Sequence, residues 1–132
     1  MNLVKKIFLV DDDEIFVLIT KRVIQETNFA GEIKVFKNGK EAIDYLEKIA
    51  DKKELLPEII FLDLRMPVLD GWGFLEEFTQ LKHKLAEKIT VYIVSSSVSP
   101  YDIQRAKGIS EVSDFIVKPV TKDKFIEITR AL

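Results

Sequence analysis

Two short apolar runs in this sequence end directly in aspartate. Lys6-Ile7-Phe8-Leu9-Val10 leads into Asp11-Asp12-Asp13-Glu14, and Glu58-Ile59-Ile60-Phe61-Leu62 leads into Asp63. If both runs are parallel strands of one sheet, three or more carboxylates meet at its carboxyl edge. Like charges that close repel, and partial burial makes each unpaired charge costlier. The cluster is therefore expected to hold a cation, and an all-oxygen set of this kind suits Mg²⁺. Two further runs end in complementary groups: Ile93-Val94 continues into Ser95-Ser96-Ser97, and Phe115-Ile116-Val117 into Lys118-Pro119. Ser95, the first residue past its run, would turn its hydroxyl to the same edge. Lys118 at the mouth of an acidic pocket would pair with a carboxylate and later with an anion.

Each of these residues has a plainer explanation when taken singly. Asp and Glu are favoured at helix starts, as caps and as partners of the helix dipole. Serines after a strand serve as turn or cap residues, and that suffices for Ser96 and Ser97. A lysine at a strand end usually snorkels to the surface, and Asp70-Gly71 is a common turn dipeptide. One cap does not require three aspartates, however, and the apolar run behind them marks a β–α junction. Asp63, directly behind an apolar run, would be partly desolvated and needs a partner.

The elements that must position these groups are legible as alternating patterns. Strands are expected at Lys6–Val10, Ile33–Phe36, Glu58–Leu62, Ile89–Val94 and Val112–Val117, three of them near-continuous apolar runs typical of strands buried on both faces. Helical spacing falls between them. Ile15, Leu18, Ile19 and Val23 form one expected core stripe, and Ala42, Ile43, Leu46, Ile49 and Ala50 a second. Phe74, Leu75, Phe78, Leu81 and Leu85 form a third. A shorter helix is expected after Pro100 with Ile103 and Ala106 inward, and a last one carries Phe125, Ile128, Thr129 and Leu132. Asn38 with Glu41 resembles a capping box opening the second helix. Five β–α units imply an α/β fold with a doubly wound five-stranded parallel sheet, since parallel neighbours need right-handed crossovers. Ligands bind such sheets beyond the carboxyl ends of the strands, where the strand order reverses. In the flavodoxin-like order 2-1-3-4-5 that point lies between the first and third strands, the two that end in aspartate.

Bulk properties narrow the function. A chain of 132 residues fits one domain, residues 1–132, with a sizeable core. Its 47% apolar and 32% charged content is that of a globular protein. The net charge of −2 gives no general attraction to nucleic acid or to an anionic membrane. With no cysteine there is no disulfide or thiolate metal site, which fits a reducing compartment. Met1-Asn2-Leu3 runs straight into a strand, so no signal peptide is expected, and no apolar stretch approaches the roughly twenty residues of a membrane span.

Acids after strands one and three, a hydroxyl after strand four and Lys-Pro after strand five form a combination far more specific than its parts. In order and spacing it resembles the receiver domain of two-component response regulators, in the single-domain, CheY-like form, over essentially the whole chain. That family is itself a standard example of the 2-1-3-4-5 order, so order and resemblance count as one observation. The resemblance implies a phosphoprotein switch of a phosphorelay, cytoplasmic and not a conventional enzyme. Asp63 takes the phosphoacceptor position. Asp11 and Asp12 take the positions of the acidic pair that holds Mg²⁺, with Asp12 the direct ligand, which leaves Asp13 as a helix cap, and the backbone carbonyl of Arg65 completes the protein ligands. Ser95 and Lys118 take the positions that contact the phosphoryl group, Ser95 and Phe115 those of the conformational switch, and the Lys118-Pro119 bond is implied to be cis. Implied partners are a sensor histidine kinase or phosphotransfer protein and a downstream protein bound at the face of helix four, strand five and helix five. A monomer or weak dimer is implied, with no nucleic-acid or membrane partner.

The chain departs from the common pattern in carrying Ser rather than Thr at 95 and Phe rather than Tyr at 115. Arg65 and Val68 occupy variable positions near the site that tune dephosphorylation. A phosphatase of the haloacid dehalogenase type would instead use Asp11 and Asp13 as an Asp-x-Asp motif, but Ile15 stands where Thr or Val normally follows, and no later acidic pair comes after strand four. A phosphorylation-independent binding module is disfavoured by the intact Asp63, Ser95 and Lys118. His83, the single histidine, reads as a surface residue, Trp72 as packing under a loop, and Lys52-Lys53-Glu54 as solvated loop.

Overall fold

The structure is a computed structural model that describes residues 4–29, 31–66, 69–96 and 99–131. Strands β1 (Lys6–Val10), β2 (Glu32–Phe36), β3 (Ile59–Leu62), β4 (Thr90–Ser95) and β5 (Val112–Val117) alternate with helices α1 (Glu14–Gln25), α2 (Gly39–Ile49), α3 (Gly71–Leu81), α4 (Pro100–Lys107) and α5 (Lys122–Arg130). The sheet is parallel throughout, in the order β2-β1-β3-β4-β5. The expected α/β fold and strand order are therefore observed.

The apolar strands sort their side chains by alternation into two layers. Phe8, Val10, Ile60, Leu62, Val91 and Ile93 face α2, α3 and α4, where Leu46, Phe74 and Phe78 meet them. Ile7, Leu9, Ile59, Phe61 and Val94 face α1 and α5, against Phe16, Ile24, Phe125 and Ile128. Each such burial is worth about 1.5–3 kcal/mol, against about 0.2–1 kcal/mol for an exposed ion pair, so the layers and not the surface charges hold the sheet rigid.

Caps set where each helix begins. Asp13 Oδ1 accepts from the amides of Ile15 and Phe16 at 3.1 Å each, so Asp13 is the expected cap of α1. Asn38 Oδ1 accepts from the Glu41 amide at 2.9 Å, and its Nδ2 donates to Glu41 Oε2 at 3.3 Å, a side-chain variant of the capping box. Asp70 caps α3 through the Gly73 amide at 2.8 Å.

Several details differ from the sequence-based expectations, and one is that Lys53–Leu55, within the expected loop Lys52-Lys53-Glu54, forms a 3-10 turn. The stripe Ile15, Leu18, Ile19 is 72%, 60% and 46% exposed, and α1 buries Phe16, Thr20 and Ile24 instead. This helix start is apolar on every side, so periodicity alone does not fix its phase. The Asp13 cap and the exit from β1 do. Ser95 lies inside β4, opposite Val117, rather than past its end. The helix stripe ends at Leu81, and Leu85 reaches the core from beyond a 3-10 turn at Lys82–Lys84. Trp72 sits in the first turn of α3 and packs partly buried against the core, with the Arg105 guanidinium 4.2 Å from its ring. His83 is exposed, as expected. Val68, Ser97 and Leu132 lie outside the described residues.

Candidate functional site

The sheet ladder continues one residue beyond its strands and thereby fixes the key side chains. Asp11 donates its amide to Phe36 O, Asp63 to Val10 O and Lys118 to Ser95 O, each at 2.9 Å. Asp11 and Asp63 are thus side by side on neighbouring strands, as the two apolar runs implied. Gly71 supports them from behind: a Cβ there would lie 2.5 Å from Asp63 O and 2.8 Å from Leu64 Cα. The dipeptide Asp70-Gly71 is a turn signal in the sequence, whereas Gly71 opens α3 and is small because helix and strand end touch.

Among the described residues, Asp11, Asp12 and Asp63 form a carboxylate group with one oxygen from each lying within 4.8 Å of the others. Asp11 and Asp63 are buried and Asp12 is exposed at the rim. Lys118 Nζ lies 2.9 Å from Asp11 Oδ2 and 3.7 Å from Asp63 Oδ1, and 4.2 Å from the ring of Phe16. The Lys118-Pro119 bond is cis, as the resemblance implied. Asp11 Oδ1 accepts from the Asp13 amide at 2.9 Å. Its Oδ2 has no well-aligned hydrogen bond and relies on the lysine's charge.

Burial, and then the charge of Asp11, push the Asp63 carboxyl up from 3.8 to about 6, against the pull of Lys118 and the Arg65 amide. Burial likewise raises Asp11, opposed by the Asp13 amide and Lys118. One ammonium does not offset two buried carboxylates and a third at the rim. The site is short of positive charge, and its donors are hard oxygens. The residues present therefore fit a hard divalent cation.

Ser95 is fully buried at the carboxyl end of β4, and Phe115, half-buried on β5, packs against the α2–α3 layer. Arg65, two residues after Asp63, reaches away from the acids and pairs through Nη2 with Asp102 Oδ2 on α4 at 3.0 Å. Two contributors escaped the sequence reading. Helical spacing places Phe16 in no stripe, and Asp102 is a buried acid beside Ile103 and Ala106. Its position on the expected inward face of α4 was the available signal.

Over residues 7–130 the sequence matches the family described as the response regulator receiver domain. The chain belongs to that family. A probable methanogenesis regulatory protein, FilR2, of Methanothrix harundinacea is 30% identical over 87% of this chain and 72% of its own. The chemotaxis protein CheY of Thermotoga maritima is 28% identical over 93% of this receiver and 92% of its own length. A two-component response regulator from Cytophaga hutchinsonii superposes with a TM-score of 0.87 at 27% identity, covering 97% of this chain and 96% of that one. Among the described residues no helix of the receiver is long and apolar enough to cross a membrane.

Proposed function

We propose that this receiver accepts a phosphoryl group on Asp63 from a phosphohistidine of a kinase or phosphotransfer protein, with Mg²⁺ as cofactor, and signals through the face formed by α4, β5 and α5. The observation that carries this reading is the charge-deficient acid cluster with Lys118 beside Asp63.

The chemistry asks little of other side chains. An Asp63 carboxylate oxygen attacks phosphorus in line, the P–N bond to the donor imidazole breaks, and its electron pair returns to the ring nitrogen. The product is an acyl phosphate, and attack of water on phosphorus expels the Asp63 carboxylate again. A bound divalent cation supplies the positive charge that lets an anionic phosphoryl group approach an anionic nucleophile. Asp12, Asp11, the Asp63 carboxylate and the backbone carbonyl of Arg65 are its proposed ligands. Lys118 leaves Asp11 for a phosphoryl oxygen, and the Ser95 hydroxyl covers another.

The exposed stripe Ile15, Leu18 and Ile19 begins beside the Asp13 cap and suits a helix of the donor protein laid against α1. Output follows from the shift of Ser95 toward the new oxygens, with Phe115 moving into the space it leaves. The Arg65–Asp102 and Trp72–Arg105 contacts tie α4 to the residues around Asp63 and give that shift a second route outward.

Incubation with acetyl phosphate and Mg²⁺ is expected to add the mass of one phosphoryl group to the protein, and Asp63→Asn to prevent it. An adduct that survives in Asp63→Asn but disappears in Asp11→Asn would favour the phosphatase-type nucleophile instead.

A further inference from the structure

Among the described residues, Lys118 lies beside two acids and one aromatic ring. Asp11 is the nearer acid at 2.9 Å, and Asp63 is farther at 3.7 Å. The third neighbour is the face of Phe16, its centroid 4.2 Å from Nζ. An ammonium is attracted to the negative face of an aromatic ring, more strongly where water is excluded. Water is scarce here, because the Phe16 side chain is buried and the Lys118 side chain is only 14% exposed. The ring is also fixed in place. The Phe16 amide donates to Asp13, whose own amide donates to Asp11, so one short chain of hydrogen bonds ties ring and acid together.

We propose that Phe16 is a positioning residue for Lys118, its ring carrying the ammonium beside Asp63 when Asp11 is drawn to another partner. The inference rests on the reading of Asp63 as the phosphoacceptor. In that reading Lys118 must exchange Asp11 for a phosphoryl oxygen, and during the exchange its strongest contact is gone. A leucine or methionine at position 16 would fill the same part of the α1–α5 layer. Neither offers a negative face, so the lysine would then swing toward solvent between partners.

The test separates the ring's electrostatics from its volume. Phe16 is replaced in the full chain by 4-fluoro-, 3,5-difluoro- and 3,4,5-trifluorophenylalanine, which keep the shape while weakening the ring face stepwise, and by Phe16→Trp and Phe16→Leu. Thermal melts establish that each variant folds. In the unphosphorylated protein without metal, the Lys118 ε-methylene protons are expected upfield from the ring current. That displacement should shrink in graded fashion along the fluorine series, persist in Phe16→Trp and vanish in Phe16→Leu. With acetyl phosphate and Mg²⁺ the phosphorylation rate should fall in the same order, roughly 3-fold for the trifluoro ring and roughly 10-fold for Phe16→Leu, with near-wild-type rate in Phe16→Trp. Lys118 protons without an upfield shift in the wild type, or a flat fluorine series in the shifts or the rate, would overturn the proposal. If the wild type takes up no phosphoryl group, the Asp63 reading fails while the shift measurements still decide whether the ring holds the lysine.

Discussion

The two ends of the same sheet both carry charged side chains, and they differ in what those charges do. The amino end holds a cleft of about 470 Å³ in which lysines 5, 6, 53 and 88 alternate with glutamates 54, 58 and 87. Lys53 pairs with Glu87 at 2.9 Å, and the Lys6 ammonium donates to the Glu54 carbonyl at 3.2 Å. At the carboxyl end three carboxylates meet one ammonium, and two of the acids are buried. A nearly balanced set of charges whose pairs lie open to solvent contributes little and calls for no further partner. A desolvated set with one sign in excess is held together by the rigid sheet behind it and gains stability when something positive arrives. Unbalanced buried charge is what separates the two ends.

The comparison is broken most directly by removing one lysine from each end. Lys118→Met should slow phosphorylation by acetyl phosphate at least about 100-fold, as the loss of one preorganised donor at a developing charge does. Lys53→Met should leave the rate unchanged, and comparable losses in both variants would refute the contrast. Stopped-flow fluorescence of Trp72 or intact mass against time would read the rates.

Stability gives the next largest effect. The folded-state value of about 6 for Asp63 lies above its ordinary 3.8, so the folded protein binds the proton more tightly. Ionising Asp63 therefore costs stability, progressively as pH rises from about 4 to about 6, and the cost is complete above that. Asp63→Asn is expected to stabilise the metal-free protein by about 2–3 kcal/mol at pH 7, and the advantage should shrink toward zero near pH 4. Mg²⁺ should recover part of that stability in the wild type and not in Asp63→Asn. Chemical denaturation at several pH values checks both statements. A wild type more stable than Asp63→Asn at pH 7 without metal would contradict them.

A smaller change sharpens the contrast between a protein donor and a small one. Leu18→Glu places a charge on the exposed α1 stripe and should weaken transfer from a protein phosphodonor about 10-fold, equivalent to about 1.4 kcal/mol of docking. The rate with acetyl phosphate should not change. Equal loss with both donors would assign Leu18 to folding rather than to docking. The smallest effect is expected at the amino end, where Glu87→Gln should leave phosphorylation, Mg²⁺ dependence and the thermal midpoint indistinguishable from wild type.

The sequence revealed most where backbone pattern alone decides position. Buried parallel strands read as apolar runs, and the ladder carries straight on into Asp11, Asp63 and Lys118, so the residue after each run is the residue at the edge. The roles of those residues came from the family resemblance, because spacing cannot say which acid is attacked. What stayed hidden was set by tertiary contact. The start of α1 is apolar on all sides, and only the fold decides that Phe16 faces Lys118 while Ile15 and Leu18 face outward. Asp102 looks like an ordinary polar residue until α4 brings it against Arg65. Gly71 looks like a turn until the end of β3 presses on it.

Direct titration of the Asp63 carboxyl by carbon-13 NMR, without metal and then with Mg²⁺, tests the charge deficit itself. A midpoint near 6 without metal, falling by a unit or more when Mg²⁺ is added, is the expected result. A midpoint near 3.8 that Mg²⁺ leaves unmoved would mean that the carboxyl edge carries no deficit.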